Sequence, residues 1–112
     1  MTTWIYPRSK VIRVVDADTI EVDANQGLRN KRGIEVRLAE VDAPERNTAA
    51  GKTAKAFVEA LLPSGTEVTV VSHEIYSFTR VIGEVRLADG QSLGDVLIRH
   101  GHAVRYDGGP RG

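Results

Sequence analysis

Cysteine is absent from this 112-residue sequence, and neither sign of charge is in excess. Without cysteine the chain has no disulfide, no thiol nucleophile and no cysteine metal ligand, although this absence does not fix its compartment. The 15 lysines and arginines balance the 15 aspartates and glutamates, which gives a formal net charge of +0. Proteins that hold nucleic acid by broad counterion release carry a basic excess. Any binding of a polyanion should therefore be local, through a few arginines with or without a bridging cation.

Long apolar runs are also missing, and none approaches the roughly 18 residues of a membrane span, so we expect no membrane association. Residues 1–8 lack the basic and apolar regions of a secretory signal, which favours the cytoplasm over secretion. A mature chain whose signal had been removed would look the same, so the compartment stays open. The hydrophobic content of 41% suits a globular core. We expect one domain over residues 1–107, a flexible tail over residues 108–112, and a monomer.

One segment, residues 36–45 with the sequence VRLAEVDAPE, combines a strand pattern with charged side chains. Every second residue from Ile34 through Val36 to Leu38 is apolar. This alternation predicts a β-strand that leads into the segment and buries one face. Arg37 then lies on the opposite face. A structural strand has little use for an arginine followed by a carboxylate, a proline turn and a second carboxylate. A phosphate site with a hard cation would use each of them.

The spacing of the apolar residues changes after Leu38. If Val41 is also buried, the strand slips phase between these two residues, as a bulge or a sharp bend allows. After that slip Asp42 shares the face of Arg37. An arginine, a carboxylate of the kind that binds metals, and the turn-presented Glu45 could then converge.

Elsewhere the apolar pattern predicts four more strands. Valine-rich and alternating segments indicate strands over residues 10–15, 19–23, 66–75 and 80–87. The first two form a hairpin around Asp16-Ala17-Asp18. Residues 103–105 are a candidate final short strand.

Two helices complete the pattern. The first, with Asn47 or Thr48 as its N-cap, has apolar residues on one face and ends at Pro63. Ser92 begins a shorter helix that ends at Gly101. Together the elements predict an α+β, mainly β fold: a five-stranded OB-fold barrel with a helix between strands 3 and 4 and a second short helix near the C-terminus. The order alone is only suggestive, because many small α+β domains share it.

Two motifs and their spacing point to a known family. The first is VDADTI over residues 15–20, and the second is R-L-x-x-V-D-A-P-E from Arg37 to Glu45. Further matches are Arg80 before VIG, and AVRYDGG over residues 103–109. Together they resemble the staphylococcal nuclease (thermonuclease-like) family over nearly the whole chain. The D-x-D-T element alone is a weak signal, but its combination with the second motif at this distance is a strong one.

Members of that family are calcium-dependent phosphodiesterases that cut DNA and RNA. The resemblance therefore implies a Ca²⁺-dependent nuclease, with nucleic acid as its substrate and Ca²⁺ as its cofactor. The family's reaction attacks phosphorus in line and cleaves the bond to the 5′ oxygen, which leaves 3′-phosphate ends. By position, Asp18, Asp42 and the backbone carbonyl of Ala43 would be calcium ligands. Ca²⁺ prefers oxygen ligands and tolerates irregular geometry, which agrees with this set.

The resemblance also implies roles for the remaining candidates. Glu45 would hold or activate the attacking water, and Arg37 and Arg80 would contact the phosphate. Guanidinium groups match the oxygens of a phosphoryl group better than lysine does. Phe78 stands where the family has a tyrosine that lies against the substrate, and Tyr106 would also reach the substrate site.

Two departures from the family pattern bear on activity. Thr79 replaces the usual glycine before the second arginine, so the loop can take a different backbone path, which puts the orientation of Arg80 in doubt. Residues 46–51 hold little of the lysine-rich loop of the best-known relatives. These departures and the neutral charge leave an alternative function open: a catalytically weak or inactive OB-fold module that binds nucleic acid or a protein partner.

Each candidate also has an ordinary structural explanation. Arg37 could pair with a glutamate on a neighbouring strand, and Asp18 could be a hairpin-turn aspartate. Glu45 could do no more than favour the N-terminus of the following helix. Arg80 could be only a charge at the end of a strand. The nuclease interpretation needs the whole set in one place.

Overall fold

The computed structural model of the chain describes residues 4–25, 27, 31–77 and 79–106. The candidate substrate residue Phe78 and the predicted tail at 108–112 lie outside the described residues. Within them the elements are, in order, β1 Trp4–Asp16, β2 Thr19–Asn25, β3 Lys31–Leu38, β4 Val41–Asp42, α1 Ala49–Leu61, β5 Glu67–Ser77, β6 Arg80–Arg86, α2 Leu93–Arg99 and β7 Val104–Arg105.

Five of these strands close into a barrel in the order β1-β2-β3-β6-β5. Neighbouring barrel strands are antiparallel, except that β3 and β6 run parallel with Val36 opposite Val81. Parallel strands need a long crossover connection, and here that connection contains α1. The predicted OB-fold barrel of five strands, with a helix between the third and fourth barrel strands, is confirmed.

The first strand is longer than the sequence predicts, because it begins at Trp4 and not at Lys10. Its first half pairs with β5, which is remote in sequence. The register with β5 shifts between Tyr6 and Ser9, and Arg8 in this interval has a left-handed backbone with φ 54°. The predicted start was wrong because the shift interrupts the two-residue period and the pairing partner is distant.

Apolar side chains fill the barrel. The apolar residues among the largest fully buried side chains are Val11, Ile20, Val22, Val36, Val58, Val70, Val85, Leu93 and Leu97. Full burial of such a side chain contributes roughly 1.5–3 kcal/mol, whereas an exposed ion pair contributes about 0–1 kcal/mol. The apolar interior therefore holds the fold together, and the charged residues on its surface contribute little to stability.

Both helices begin close to where the sequence predicts. Thr48 is the N-cap of α1, and its Oγ1 accepts a hydrogen bond from the backbone N–H of Gly51 at 3.0 Å. The helix buries Ala54 and Val58. Helix α2 begins after Ser92 as predicted. In the part of the chain that the structure describes, neither helix has the length and apolar character needed to cross a membrane.

Candidate functional site

A tight turn follows β3 and leads into β4. Leu38 and Val41 are both buried, with 2% and 3% exposure, on either side of Ala39 and Glu40. Glu40 has a left-handed backbone with φ 60°, which is uncommon for a residue other than glycine. The N–H of Ala39 anchors the turn by donating to the carbonyl of Gly83 on β6 at 2.8 Å. The predicted change of phase between Leu38 and Val41 is confirmed, and a turn produces it.

Arg37 lies at the centre of the site, with 33% of its side chain exposed. Its Nη1 donates hydrogen bonds across the turn to the carbonyl oxygens of Leu38 at 2.8 Å and Val41 at 2.7 Å. Its Nη2 lies 3.6 Å from Oδ2 of Asp18 and 3.6 Å from Oδ1 of Asp42. These last two contacts are ion pairs, longer than ordinary hydrogen bonds. In the described structure Arg37 therefore pairs with two aspartates, and not with a glutamate of a neighbouring strand.

Asp18 occupies the turn between β1 and β2 and binds the segment 36–45. Its backbone carbonyl accepts a hydrogen bond from the N–H of Leu38 at 2.9 Å. Its Oδ2 accepts from the N–H of Ala43 at 3.1 Å, and its Oδ1 accepts from the hydroxyl of Thr19 at 3.3 Å. The side chain is 13% exposed. Asp18 is thus a hairpin-turn aspartate that also fixes the hairpin to the rest of the site.

Asp42 is positioned by elements near the C-terminus of the chain. It belongs to β4, which pairs with β7 so that Asp42 lies opposite Val104. The preceding Val41 packs against Gly94 of α2, where an added Cβ would come within 2.7 Å of Val41 Cγ2. The Oδ1 atom of Asp42 is buried, and it faces the same guanidinium as Asp18 does. The structure therefore brings the two predicted calcium-binding aspartates together.

The ligand atoms that this arrangement offers to a cation are oxygens. In residues 4–25, 27, 31–77 and 79–106, no group of three His, Cys, Asp or Glu side chains could hold a metal ion. A cation would therefore have the carboxylates of Asp18 and Asp42, a backbone carbonyl such as that of Ala43, and water. Hard cations such as Ca²⁺ accept oxygen sets of this kind, whereas zinc prefers nitrogen and sulfur. The residues fit a hard cation and do not fit a zinc site.

Glu45 is positioned by the start of α1. Its backbone carbonyl accepts hydrogen bonds from the hydroxyl and the N–H of Thr48, at 2.7 and 3.0 Å. A Cβ added at Gly51 would lie 1.8 Å from the same carbonyl oxygen, so glycine is required there. Among the described residues the exposed carboxylate of Glu45 has no hydrogen bond or ion-pair partner. It precedes the N-cap and is not in the first helical turn, which argues against a role limited to the helix N-terminus.

Arg80 begins β6, beside the strand that carries Arg37. It pairs in register with Glu35, and its Nε lies 3.8 Å from Oε1 of that residue. The carbonyl of Thr79 accepts a hydrogen bond from the N–H of Glu35 at 2.7 Å, which ties the residue before Arg80 to β3. The side chain of Arg80 is 67% exposed, so it can turn toward a ligand. The replacement of glycine by threonine therefore leaves this arginine next to the site.

Arg37 and Arg80 line one cleft with a volume of about 730 Å³. The predicted substrate residue Tyr106 lines it as well, and its N–H donates to the carbonyl of Glu40 at 2.8 Å. A cleft of this volume is typical of ligand-binding sites. Asp18, Asp42 and Glu45 are not among the described residues that line this cleft, although the residue after Glu45 is.

That next residue, Arg46, lines the cleft, although the sequence pattern does not predict it. Its Nε lies 3.3 Å from Oδ1 of Asp16, which also lines the cleft. Arg46 lies in a turn, where no periodic pattern assigns a side chain to one face. The available signal was its position directly after Glu45 in the motif.

The fold and the site define a class of protein: an OB-fold barrel with a cluster of aspartates and arginines beside a cleft. Residues 35–110, more than half of the chain, match the family described as "Staphylococcal nuclease homologue". The chain belongs to the staphylococcal nuclease family, as its motifs predict. The matched range contains Arg37, Asp42, Glu45 and Arg80, whereas Asp18 precedes it and is linked to the site by its contacts.

Two curated relatives are similar along most of the chain. One is an "Uncharacterized endonuclease" of Escherichia coli, 31% identical over 98 residues that cover 88% of this chain and 60% of that protein. The other is a "Micrococcal nuclease" of Shigella flexneri, 34% identical over 117 residues that cover 96% of this chain and 64% of that protein. The chain thus spans less than two thirds of the length of each relative.

Proposed function

We propose that this chain is a calcium-dependent nuclease that hydrolyses phosphodiester bonds in DNA, RNA or both and leaves 3′-phosphate ends. The observation that carries the proposal is the position of Arg37 in the cleft wall, where its Nη2 lies 3.6 Å from both Asp18 and Asp42. A pair of carboxylates suited to a cation is thus in contact with a guanidinium suited to a phosphate. The family and the names of the two relatives support nuclease activity, the coarser part of this proposal.

Arg37 and Arg80 would bind the phosphoryl oxygens of the substrate. Two carbonyl oxygens fix the Nη1 group of Arg37, so this guanidinium is oriented before the substrate arrives. Negative charge on the phosphoryl oxygens increases during the reaction, and an oriented cationic donor stabilises the transition state more than the ground state. Removal of one such donor typically lowers the rate by about 10²–10³.

Asp18, Asp42 and the carbonyl of Ala43 would hold Ca²⁺. When bound, the ion supplies positive charge that polarises a phosphoryl oxygen and orients the nucleophile. Each carboxylate oxygen has two acceptor positions, so the hydrogen bonds that orient Asp18 leave positions for a cation. Hydrogen bonds from the N–H groups of Leu38 and Ala43 attach Asp18 to the segment that carries Asp42, which keeps the two carboxylates together.

Glu45 would act as the general base. In the described part of the chain its carboxylate has no hydrogen bond or ion pair, so it can accept a proton from water. The water oxygen then forms a bond to phosphorus in line with the 5′ oxygen. The bond between phosphorus and the 5′ oxygen breaks, and the leaving oxygen takes a proton from solvent water, while Glu45 returns the proton it accepted to solvent. The products are a 3′-phosphate and a 5′-hydroxyl.

Digestion of 5′-labelled single-stranded DNA and RNA of one sequence, with Ca²⁺, with Mg²⁺ and with EDTA, tests this proposal. We expect cleavage with Ca²⁺ and no cleavage with EDTA. The 5′-labelled products should lose negative charge, and so migrate more slowly on a gel, after a 3′-phosphatase removes their terminal phosphate. Asp42→Asn should abolish the response to Ca²⁺. The matched control Asp89→Asn changes an exposed carboxylate that accepts hydrogen bonds from Gln91, and it should not alter that response.

Two outcomes would count against the proposal. Equal rates of cleavage with Ca²⁺ and with EDTA would show that the reaction does not require Ca²⁺. Binding of the oligonucleotides without cleavage in any cation would instead support an OB-fold module that only binds nucleic acid.

A further inference from the structure

A third arginine, Arg46, lies in the wall of the cleft that Arg37 and Arg80 line. Its side chain is 63% exposed. The reaction proposed above uses the first two arginines and gives Arg46 no role. Because the chain has a net charge of +0, long-range attraction for a polyanion is small, and affinity must come from individual contacts in this cleft.

Asp16, the last residue of β1, forms an ion pair with Arg46. The Nε atom of Arg46 lies 3.3 Å from Oδ1 of Asp16. This oxygen is buried and makes no hydrogen bond with any described residue, so the nearby guanidinium supplies the positive charge that a buried carboxylate needs. Within the described ranges the Nη groups of Arg46 make no hydrogen bond, and the ion pair of this side chain is the one with Asp16. The Nη groups can therefore donate hydrogen bonds to a ligand in the cleft while Nε stays paired with Asp16.

We propose that Arg46, oriented by Asp16, binds a phosphate next to the one that is cleaved. The inference rests on the proposed function and adds to it a second phosphate contact on the same strand, made by Arg46. The planar guanidinium presents its donors along separate edges, so an ion pair at Nε leaves the Nη edge for phosphate oxygens. A contact of this kind positions the strand and does not depend on the base sequence.

The contact between Arg46 and the neighbouring phosphate is tested by removing the charge of each partner, first separately and then together. The substrates are single-stranded tetranucleotides in which each phosphate flanking the central linkage is replaced in turn by a neutral methylphosphonate. For the wild type with Ca²⁺, one replacement should raise the KM for cleavage at the central linkage about tenfold, the value of one charge-assisted hydrogen bond, with little change in kcat. In Arg46→Ala the same replacement should have no further effect, because its partner is already absent. Arg46→Lys should retain part of this coupling.

Two controls separate the contact from structural effects. Arg13→Ala removes an exposed arginine that pairs with Glu21 outside the described cleft wall, and it should leave KM unchanged. In Arg46→Ala the guanidinium is lost and the Asp16 carboxylate is left without its ion-pair partner. The double variant Asp16→Asn with Arg46→Ala removes both groups, and so shows which of these two effects changes KM. Circular dichroism of each variant verifies that it is folded.

The inference is overturned if the wild type cleaves the tetranucleotide and neither flanking phosphate couples to Arg46. It is also overturned if the double variant recovers the wild-type KM, because the effect of Arg46 would then be only to neutralise Asp16. No cleavage of any tetranucleotide by the wild type would overturn the proposed function, and this inference with it.

Discussion

The Nη1 group of Arg37 donates a hydrogen bond to the carbonyl oxygen of Val41 at 2.7 Å, and so closes the turn between β3 and β4. The same group bonds the carbonyl of Leu38 at 2.8 Å, while Nη2 lies 3.6 Å from Asp42. One guanidinium therefore stabilises the turn and faces the carboxylate that follows it. Because the two tasks use different nitrogens of a planar group, a positive charge alone cannot replace it.

Arg37→Lys should lower the rate of cleavage about 10²–10³-fold, which is the effect of losing an oriented donor. Lysine keeps the charge, but its single ammonium cannot bond both carbonyls of the turn and also present a second edge to a phosphate. Lost hydrogen bonds to the turn should lower the free energy of unfolding by about 1–3 kcal/mol. Measurements of kcat with Ca²⁺ and of unfolding in urea check the two effects.

The matched control for this change is Arg86→Lys, which alters an exposed arginine that pairs with Glu84. Arg86→Lys should change neither kcat nor the free energy of unfolding. A wild-type rate in Arg37→Lys would show that the geometry of the guanidinium is not used.

Gly51→Ala should impair catalysis although residue 51 is in the helix. The new Cβ would lie 1.8 Å from the carbonyl oxygen of Glu45, so the backbone that carries the proposed general base must move. We expect a lower kcat with little change in Ca²⁺ affinity, and a loss of about 1–3 kcal/mol in the free energy of unfolding. Gly33→Ala is the control, because its Cβ would meet Ile12 at 3.8 Å, an ordinary contact. Full activity of Gly51→Ala would argue that the position of Glu45 is not critical.

Asp18→Asn should weaken Ca²⁺ binding and leave the fold intact. The amide oxygen of asparagine can still accept the hydrogen bond that Ala43 donates at 3.1 Å, but one of the two carboxylates is lost. We expect Ca²⁺ affinity to fall by at least about tenfold, measured by isothermal titration calorimetry. Unchanged affinity would place the cation elsewhere, and Asp89→Asn provides the comparison for loss of an exposed carboxylate.

Arg80→Ala distinguishes a phosphate-binding arginine from a charge at the end of a strand. Its only ion pair in the described residues is the 3.8 Å contact with Glu35, and the side chain is largely exposed, so stability should change little. If Arg80 contacts the phosphate, the rate should fall about 10²–10³-fold. A single-turnover measurement with excess enzyme reports this loss directly. A normal rate would mean that Thr79 and Arg80 are not part of the active site.

Apolar alternation was enough to predict most of the barrel. In β2 and β3 it holds over Ile20 and Val22 and over Val36 and Leu38, because one face of each strand is buried. The first half of β1 and the two-residue β4 follow no such period. They exist because they pair with β5 and β7, which are distant in sequence, so local pattern could not reveal them.

The site was predictable to a similar extent. The spacing of Leu38 and Val41 predicted that Asp42 would lie near Arg37, because a buried Val41 forces the change of phase. The contact of Gly51 with the carbonyl of Glu45 was not predictable, since a glycine in a helix gives no sign of what touches it. Side chains in turns, such as Arg46, have no periodicity from which a direction could be read.

Titration of the ¹⁵N-labelled protein with Ca²⁺, followed residue by residue by NMR, tests most directly whether Asp18 and Asp42 form a cation site in contact with Arg37. We expect saturable shifts of the backbone amides at Asp18, Asp42 and Ala43 and of the Arg37 guanidinium, and their loss in Asp42→Asn. Folded protein that shows no saturable Ca²⁺-dependent shift at these residues would contradict the calcium site and the nuclease mechanism built on it.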